Sequence, residues 1–256
     1  MVIEISRMTK ADIPGVVECV QKGFADDPYF QWVFDLTKFS KKRNNSSLRN
    51  RCLWGIKNGL FFVAKEIPSL DSSSTSVSSK ESADQHIEDT SELDSSSSRP
   101  RIVGIAMWLP PHSGESWRYT MHDWILSVRQ TLTNIRFRGH GGLRVNRYWI
   151  WKDAQSKVQK ELWTDERGYY FCNVVSVLPE LHGRGIGRKL VEAITQQADR
   201  EGMKCYLESS KSTPNVAIYE KMGFKLVKNM QCAENGVVCK LYCMTREPQK
   251  TKESTN

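Results

Sequence analysis

The chain has 256 residues, enough for one large domain or two small ones, and with 39% of them hydrophobic and 10% aromatic a globular core is within reach. Its formal charge of +8 suits nucleic acid, a membrane surface or a phosphate-bearing cofactor equally, so charge alone selects none of them. No apolar run approaches the ~18 residues of a membrane span, and Met1-Val2-Ile3-Glu4-Ile5-Ser6-Arg7 reads as a strand rather than a signal peptide.

Val2 to Met8 alternates apolar and polar residues, as a strand does. A helix follows, capped near Thr9 or Asp12, with Ile13, Val16, Val17, Val20 and Phe24 on one face. Ala25-Asp26-Asp27-Pro28 ends it, because proline restricts the residue before it. Tyr29 to Phe34 is aromatic and apolar, 39–58 reads as a helix that is basic at its start, and Gly59 to Lys65 as a strand.

Composition then changes. Residues 67–98 are rich in serine, with seven acidic residues, one lysine and no aromatics. Such a segment cannot bury enough apolar surface to offset its ordering entropy, so 67–100 is expected to be a disordered insertion. The rest of the chain is correspondingly more basic. Arg101 to Pro110 is the next strand, and it is placed to form a hairpin with the strand before the insertion.

Residues 112–165 hold Trp117, Trp124, Trp149, Trp151 and Trp163 among helical stretches around Gly139-His140-Gly141-Gly142. They are expected to form a helical insertion, with the tryptophans serving either as its core or as a cap over a pocket. Arg129, Arg136, Arg138, Arg144 and Arg147 are not spaced as any nucleic-acid module, so no nucleic-acid partner is expected. Gly168 to Leu178 is a strong strand, and Lys189 to Glu201 an amphipathic helix closed by Gly202. Lys204 to Leu207 is a strand and Asn215 to Lys221 a short helix. Phe224 to Cys232 and Val237 to Thr245 form a hairpin around Asn235-Gly236, and 247–256 is a polar tail.

The seven cysteines form no C-x-x-C pair and lie mostly in apolar runs. Reduced, half-buried thiols in a reducing compartment are expected, with no metal site. The expected setting is soluble and cytoplasmic, away from membranes, as a monomer or homodimer.

The informative unit is strand, glycine loop, helix. Gly183, Gly185 and Gly187 let a backbone approach a ligand closely, and the helix they open presents free N–H groups and a dipole that favour phosphate. Arg184 and Arg188 add positive charge. No Gly-Lys-Ser/Thr closes the loop, so it is not a P-loop, and the dinucleotide fingerprint is incomplete.

The loop together with its flanks resembles the GNAT superfamily of N-acetyltransferases. Those enzymes carry Q/R-x-x-G-x-G/A after a strand holding Val-x-Val. Here the strand is Val175-Ser176-Val177, and the loop is His182-Gly183-Arg184-Gly185-Ile186-Gly187-Arg188. His182 stands where the family has Gln or Arg, which costs one side-chain phosphate contact and spares the backbone cradle. Downstream, Tyr219-Glu220-Lys221-Met222-Gly223-Phe224 matches the superfamily's Y-x-K-x-G-F ending. Within the superfamily the pattern is most similar to the puromycin N-acetyltransferase branch. The residues that carry this are Phe24-Ala25-Asp26-x-Pro28, Trp108, Leu207-Glu208-x-Ser210, Asn215 and Cys243-Met244-Thr245-Arg246. The resemblance covers roughly 5–66, 101–111 and 169–246.

It implies an α+β fold across 1–246, a mixed and mostly antiparallel twisted sheet with helices on both faces. It implies acetyl-CoA as cosubstrate and direct attack by a primary amine of a small molecule, in detoxification or resistance. A protein or peptide acceptor, or a non-catalytic acetyl-CoA-binding regulatory module, stays open as an alternative. Val175, Ser176 and Val177 would hold the pantetheine arm, Gly183 to Arg188 the pyrophosphate, with His182 and Asn215 beside them. Tyr219 would protonate the leaving thiolate. Asp26, Asp27, Glu208 and His112 remain candidates for the base.

Overall fold

The computed structural model describes residues 2–67, 100–111 and 117–249. The serine-rich stretch from 68 to 99, the segment 112–116 with His112, and the tail from 250 onward lie outside the described residues.

Among the described residues seven strands make one sheet in the order β1-β2-β3-β4-β5-β7-β6. They are β1 (Val2–Arg7), β2 (Leu60–Ile67), β3 (Arg101–Leu109), β4 (Tyr170–Val177), β5 (Cys205–Ser209), β6 (Lys225–Glu234) and β7 (Val237–Arg246). Every neighbouring pair is antiparallel except β4 and β5. The helices are α1 (Ile13–Gly23), α2 (Pro28–Val33), α3 (Lys41–Asn58), α4 (Trp117–Arg136), α5 (Val145–Leu162), α6 (Ile186–Glu201) and α7 (Asn215–Glu220). No helix among the described residues is long and apolar enough to cross a membrane.

Helices cover both faces of the sheet, as β4 demonstrates. Successive strand side chains point to opposite faces. Ser176 is buried against α1, where its hydroxyl donates to the Cys19 carbonyl at 3.0 Å and Gly23 leaves it room. Val177, the next residue, lies against the first turn of α6 at Gly187. The main core fills both sides, with Val16 from α1, Leu190 and Ile194 from α6, and Val63, Val103, Ile105 and Trp108 from the sheet. A second cluster gathers Trp32, Val158, Tyr169, Phe171, Tyr206 and Leu241 under α2 and α5. All seven cysteines are buried and free.

Two elements differ from their expected bounds for local reasons. α6 begins at Ile186, inside the glycine motif, because Ile186, Leu190, Ile194 and Ala198 form one continuous buried stripe. Tyr29 to Phe34 is largely helical rather than a bare aromatic run. Pro28 occupies the first turn of α2, and Asp27 caps it by accepting from the Phe30 N–H at 2.9 Å.

Candidate functional site

β4 and β5 run parallel for only three paired positions, the last being Cys172 with Leu207. Beyond it the two strands part. The Leu178 N–H bonds the Val103 carbonyl at 2.9 Å, which sets the phase of the ladder between β3 and β4. Ser176 and Val174 therefore turn their backbone groups toward β3, and Val175 and Val177 turn theirs into the opening. Asn173 is the unpaired residue of a bulge at the point of parting, between the pairs Cys172 with Trp108 and Val174 with Met107.

Ser176 departs from the expected role. Its hydroxyl is committed to α1 and its backbone to β3, so neither reaches the opening. Val175 and Val177 present their backbone groups on the free edge of β4. The Val177 carbonyl already has a donor, since His182 turns its ring back and gives an Nε2–H bond to it at 3.0 Å. His182 is thus a cap on the open strand edge.

The loop after β4 places Gly183 at φ 78° and Gly185 at φ 74°. A Cβ added at either would meet nothing within 4 Å, so the requirement for glycine is conformational. Gly185 is the N-cap of α6 and has no side chain to satisfy the first turn. The first N–H bonded back within this turn is that of Lys189, to the Gly185 carbonyl at 3.1 Å. The preceding amides of Ile186, Gly187 and Arg188 face the loop as an anion cradle. Arg188 leans along the helix onto Glu192 at 2.6 Å, and Arg184 is exposed on the loop.

On the far side of the parting strands, Asn215 opens α7 and donates to Ser209 Oγ at 3.2 Å. Tyr219, four residues on, packs edge-on against Phe224 with ring centroids 6.0 Å apart. Its hydroxyl meets no hydrogen-bond partner among the described residues. Burial, with a smaller push from Cys172, raises the phenol above its ordinary value and keeps its proton on. Burial also pushes the Cys172 thiol well up and that of Cys205 to about 12, so both stay protonated and poor nucleophiles.

A cavity of about 650 Å³ opens between α1, α2, α3, α4, α5 and the strands β4, β5 and β7. Phe24, Tyr29, Phe34, Tyr148, Trp151 and Phe171 give it an aromatic wall, with Tyr29 and Trp151 at 5.1 Å between centroids. The tryptophan-rich segment therefore divides. Trp151 and Trp149 line the cavity, whereas Trp163 stacks on Tyr169 in the second core cluster.

The three described acidic candidates fall in different settings. Asp26 is exposed and paired to Lys211 at 2.9 Å, and it does not line the cavity. Asp27 lines it, but one carboxylate oxygen caps α2 and the other accepts from Ser210 Oγ. Glu208 lines it from the end of β5, accepting from Tyr206 Oη at 2.9 Å and from Gln155 Nε2 at 2.9 Å. Burial raises the Glu208 carboxyl above its ordinary value, and the Gln155 and Tyr206 bonds only partly offset this.

Sequence reasoning did not single out Gln155 or Tyr206, which orient Glu208. Nor did it single out Asn173, although a polar residue inside the apolar run Tyr170–Val177 was a readable sign. Asp27→Asn keeps a capping side chain and removes a basic carboxylate, so turnover should stay near wild type with a melting temperature within a few degrees. Asp27→Ala should cost about 1 kcal/mol by thermal unfolding, the usual worth of a lost N-cap.

Residues 145–226 match the family model described as Acetyltransferase (GNAT) domain. Two Schizosaccharomyces pombe proteins named as N-acetyltransferases are similar in sequence. One is 32% identical over 58% of this chain and 58% of its own, the other 26% identical over 55% of this chain and 60% of its own. The chain thus spans less than two thirds of the curated relatives it matches. Among solved structures, arylalkylamine N-acetyltransferase 2 of Aedes aegypti superposes with a TM-score of 0.56 at 15% identity, covering 97% of this chain and 100% of that one. A Corynebacterium glutamicum protein described as histone acetyltransferase HPA2 and related acetyltransferase gives 0.54 at 17% identity, covering 98% and 99%. The fold is that of the GNAT acetyltransferases.

Proposed function

We propose that this chain is an acetyl-CoA-dependent N-acetyltransferase that acts on a primary amine of a small molecule held in the aromatic cavity. The observation that carries this reading is the parting of β4 from β5 after Cys172, which leaves the Val175 and Val177 backbone edge open beside the amide cradle at Gly183 to Arg188. An extended amide-bearing arm suits the open edge, and a pyrophosphate suits the cradle. The fit has one cost: an arm that donates to the Val177 carbonyl must displace or share the His182 bond.

When bound, acetyl-CoA supplies the thioester carbonyl that the amine attacks. Glu208 receives the proton of the ammonium, directly or through one water, and its raised affinity for protons suits that task. Gln155 and Tyr206 each donate to a Glu208 oxygen and leave lone pairs for the incoming proton. The Val175 N–H, turned into the opening, is a donor for negative charge that develops on the carbonyl oxygen. Tyr219, held protonated, gives its proton to the departing sulfur and recovers one from the attacking nitrogen as the amide forms. A wall made by α4 and α5 across the acceptor side favours a small amine over an extended peptide.

A thiol with an ordinary pKa of about 8.5 is already a fair leaving group, so Tyr219 is asked for the low end of acid catalysis. Tyr219→Phe should bind acetyl-CoA normally by calorimetry and lower kcat for thiol release by about ten- to a hundredfold with any accepted amine. Absence of acetyl-CoA binding by the wild type would overturn the proposed activity. Full turnover by Tyr219→Phe would remove the residue from its role.

A further inference from the structure

Among the described residues three arginines are buried, Arg43, Arg147 and Arg246, exposed by 5%, 6% and 4%. Two of them have carboxylate partners. Arg246 meets Asp199 through two bonds of 2.6 and 2.7 Å, and Arg147 meets Glu234 at 2.6 Å. Burying a guanidinium without a counterion is costly, so these pairings are what physics demands. Arg43 is the exception. Its Nη2 donates to the neutral Asn134 Oδ1 at 2.6 Å, and its buried Nε has no hydrogen-bond partner among the described residues. Among the described residues no carboxylate pairs with it, and the charged neighbour acting on it is Arg51, another cation.

Both arginines line the acceptor cavity. Arg43, Ser47 and Arg51 stand at i, i+4 and i+8 on α3 and so share one helical face. The Arg43 stem is held in place, since it packs over Gly141, whose positive φ and missing side chain admit it. Ser40 caps the helix just before it. This is a fixed cationic group on a cavity wall, lacking an anion among the described residues. None of the loop residues 182–188 lines this cavity, so the cationic pair is separate from the amide cradle.

We propose that Arg43 and Arg51 form an oxyanion subsite for the acceptor, so that the substrate is an amine bearing a carboxylate or phosphate at the end remote from its nitrogen. This deepens the proposed function and rests on it for the role of the bound molecule. Glu208, on β5, takes the amine, while the guanidinium groups, on α3, take the anion. The aromatic wall between the elements holds the body of the molecule. An acceptor of this kind supplies the missing counterion only when it is bound, so it is favoured over a neutral analogue that leaves Arg43 unpaired.

The test uses three para-substituted phenethylamines: 4-(2-aminoethyl)benzoate, tyramine phosphate and 4-(2-aminoethyl)benzamide. Each is titrated by calorimetry into the full chain, with and without coenzyme A. At least one anionic amine should bind about tenfold more tightly than the benzamide, and the better of the two identifies the anion. Arg51→Gln, at an exposed position, should remove most of that preference. Arg43→Gln should remove it entirely. Acetyl-CoA affinity should be unchanged in both variants. Equal binding of all three amines, binding of none, or a preference that survives both substitutions overturns the subsite. Failure of acetyl-CoA to bind the wild type would instead overturn the transferase reading, and the titrations without coenzyme would still decide the subsite.

Discussion

Gly185→Trp should abolish measurable acetyl-CoA binding while leaving the fold intact. Gly185 sits at φ 74° as the N-cap of α6, and the space around its Cβ is open. The substitution therefore meets no clash within the protein. Its internal cost is the left-handed backbone, about 1 kcal/mol for a residue with a Cβ. The indole, however, would occupy the volume over the free amides of Ile186, Gly187 and Arg188. Hydrogen bonds to a charged group are worth about 1.5–3 kcal/mol each, so the loss of two lowers affinity by roughly a hundredfold or more. Gly202→Ala is the control. That glycine caps the other end of the same helix at φ 63° with open space around it, so it imposes similar strain far from the cradle. Gly202→Ala should lose a few degrees of melting temperature and keep its affinity. Calorimetry showing undiminished binding by Gly185→Trp would place the pyrophosphate elsewhere.

The parts of this protein that were legible in the sequence are those in which local chemistry has one meaning. Strands β1, β4 and β7 read from their apolar pattern, and the turn between β6 and β7 from Asn235-Gly236, where both residues take positive φ. The glycine loop read correctly as a helix entrance. Other features depend on which elements meet in space. Asp27 reads as a helix-ending acid, and it is also an N-cap whose second oxygen reaches Ser210, 183 residues away. Trp151 and Trp163 look alike in sequence and both pack against the second core cluster, yet of the two Trp151 lines the cavity and Trp163 does not. Arg43 lies in the basic start of a helix, where nothing in the local sequence marks it as buried, and the approach of Gly141 and Asn134 buries it. Ser176 reads as part of the coenzyme site because of its neighbours in the Val-Ser-Val motif. The strand's alternation sends its side chain to α1, and the ladder phase sends its backbone to β3.

Glu208→Gln tests the proton acceptor, and its expected effect on rate is larger than that of Tyr219→Phe. A primary ammonium holds its proton with an affinity like that of lysine, about 10.4, so at neutral pH little of the amine is nucleophilic without a base. Removal of a positioned base costs about a hundred- to ten-thousandfold. Gln fills nearly the same space and can still accept from Tyr206 Oη, so the loss should appear in kcat rather than in acetyl-CoA affinity. The pH profile adds a sign. The carboxyl of Glu208 is raised in the folded state by burial, and only its ionised form accepts a proton. Activity should therefore climb with pH through a limb that lies above the ordinary carboxylate value of about 4.3, and Gln should erase that limb. Linkage gives the opposite trend for stability. Between the unfolded carboxylate value and the raised folded one, the native state binds the extra proton, so this residue's stabilising contribution is present at low pH and is lost as pH rises. A variant that retains the ascending limb would show that the limb belongs to another group. Asp27 would then be the described acid to test, since it shares the cavity wall and its carboxylate is held by Ser210 and by the first turn of α2.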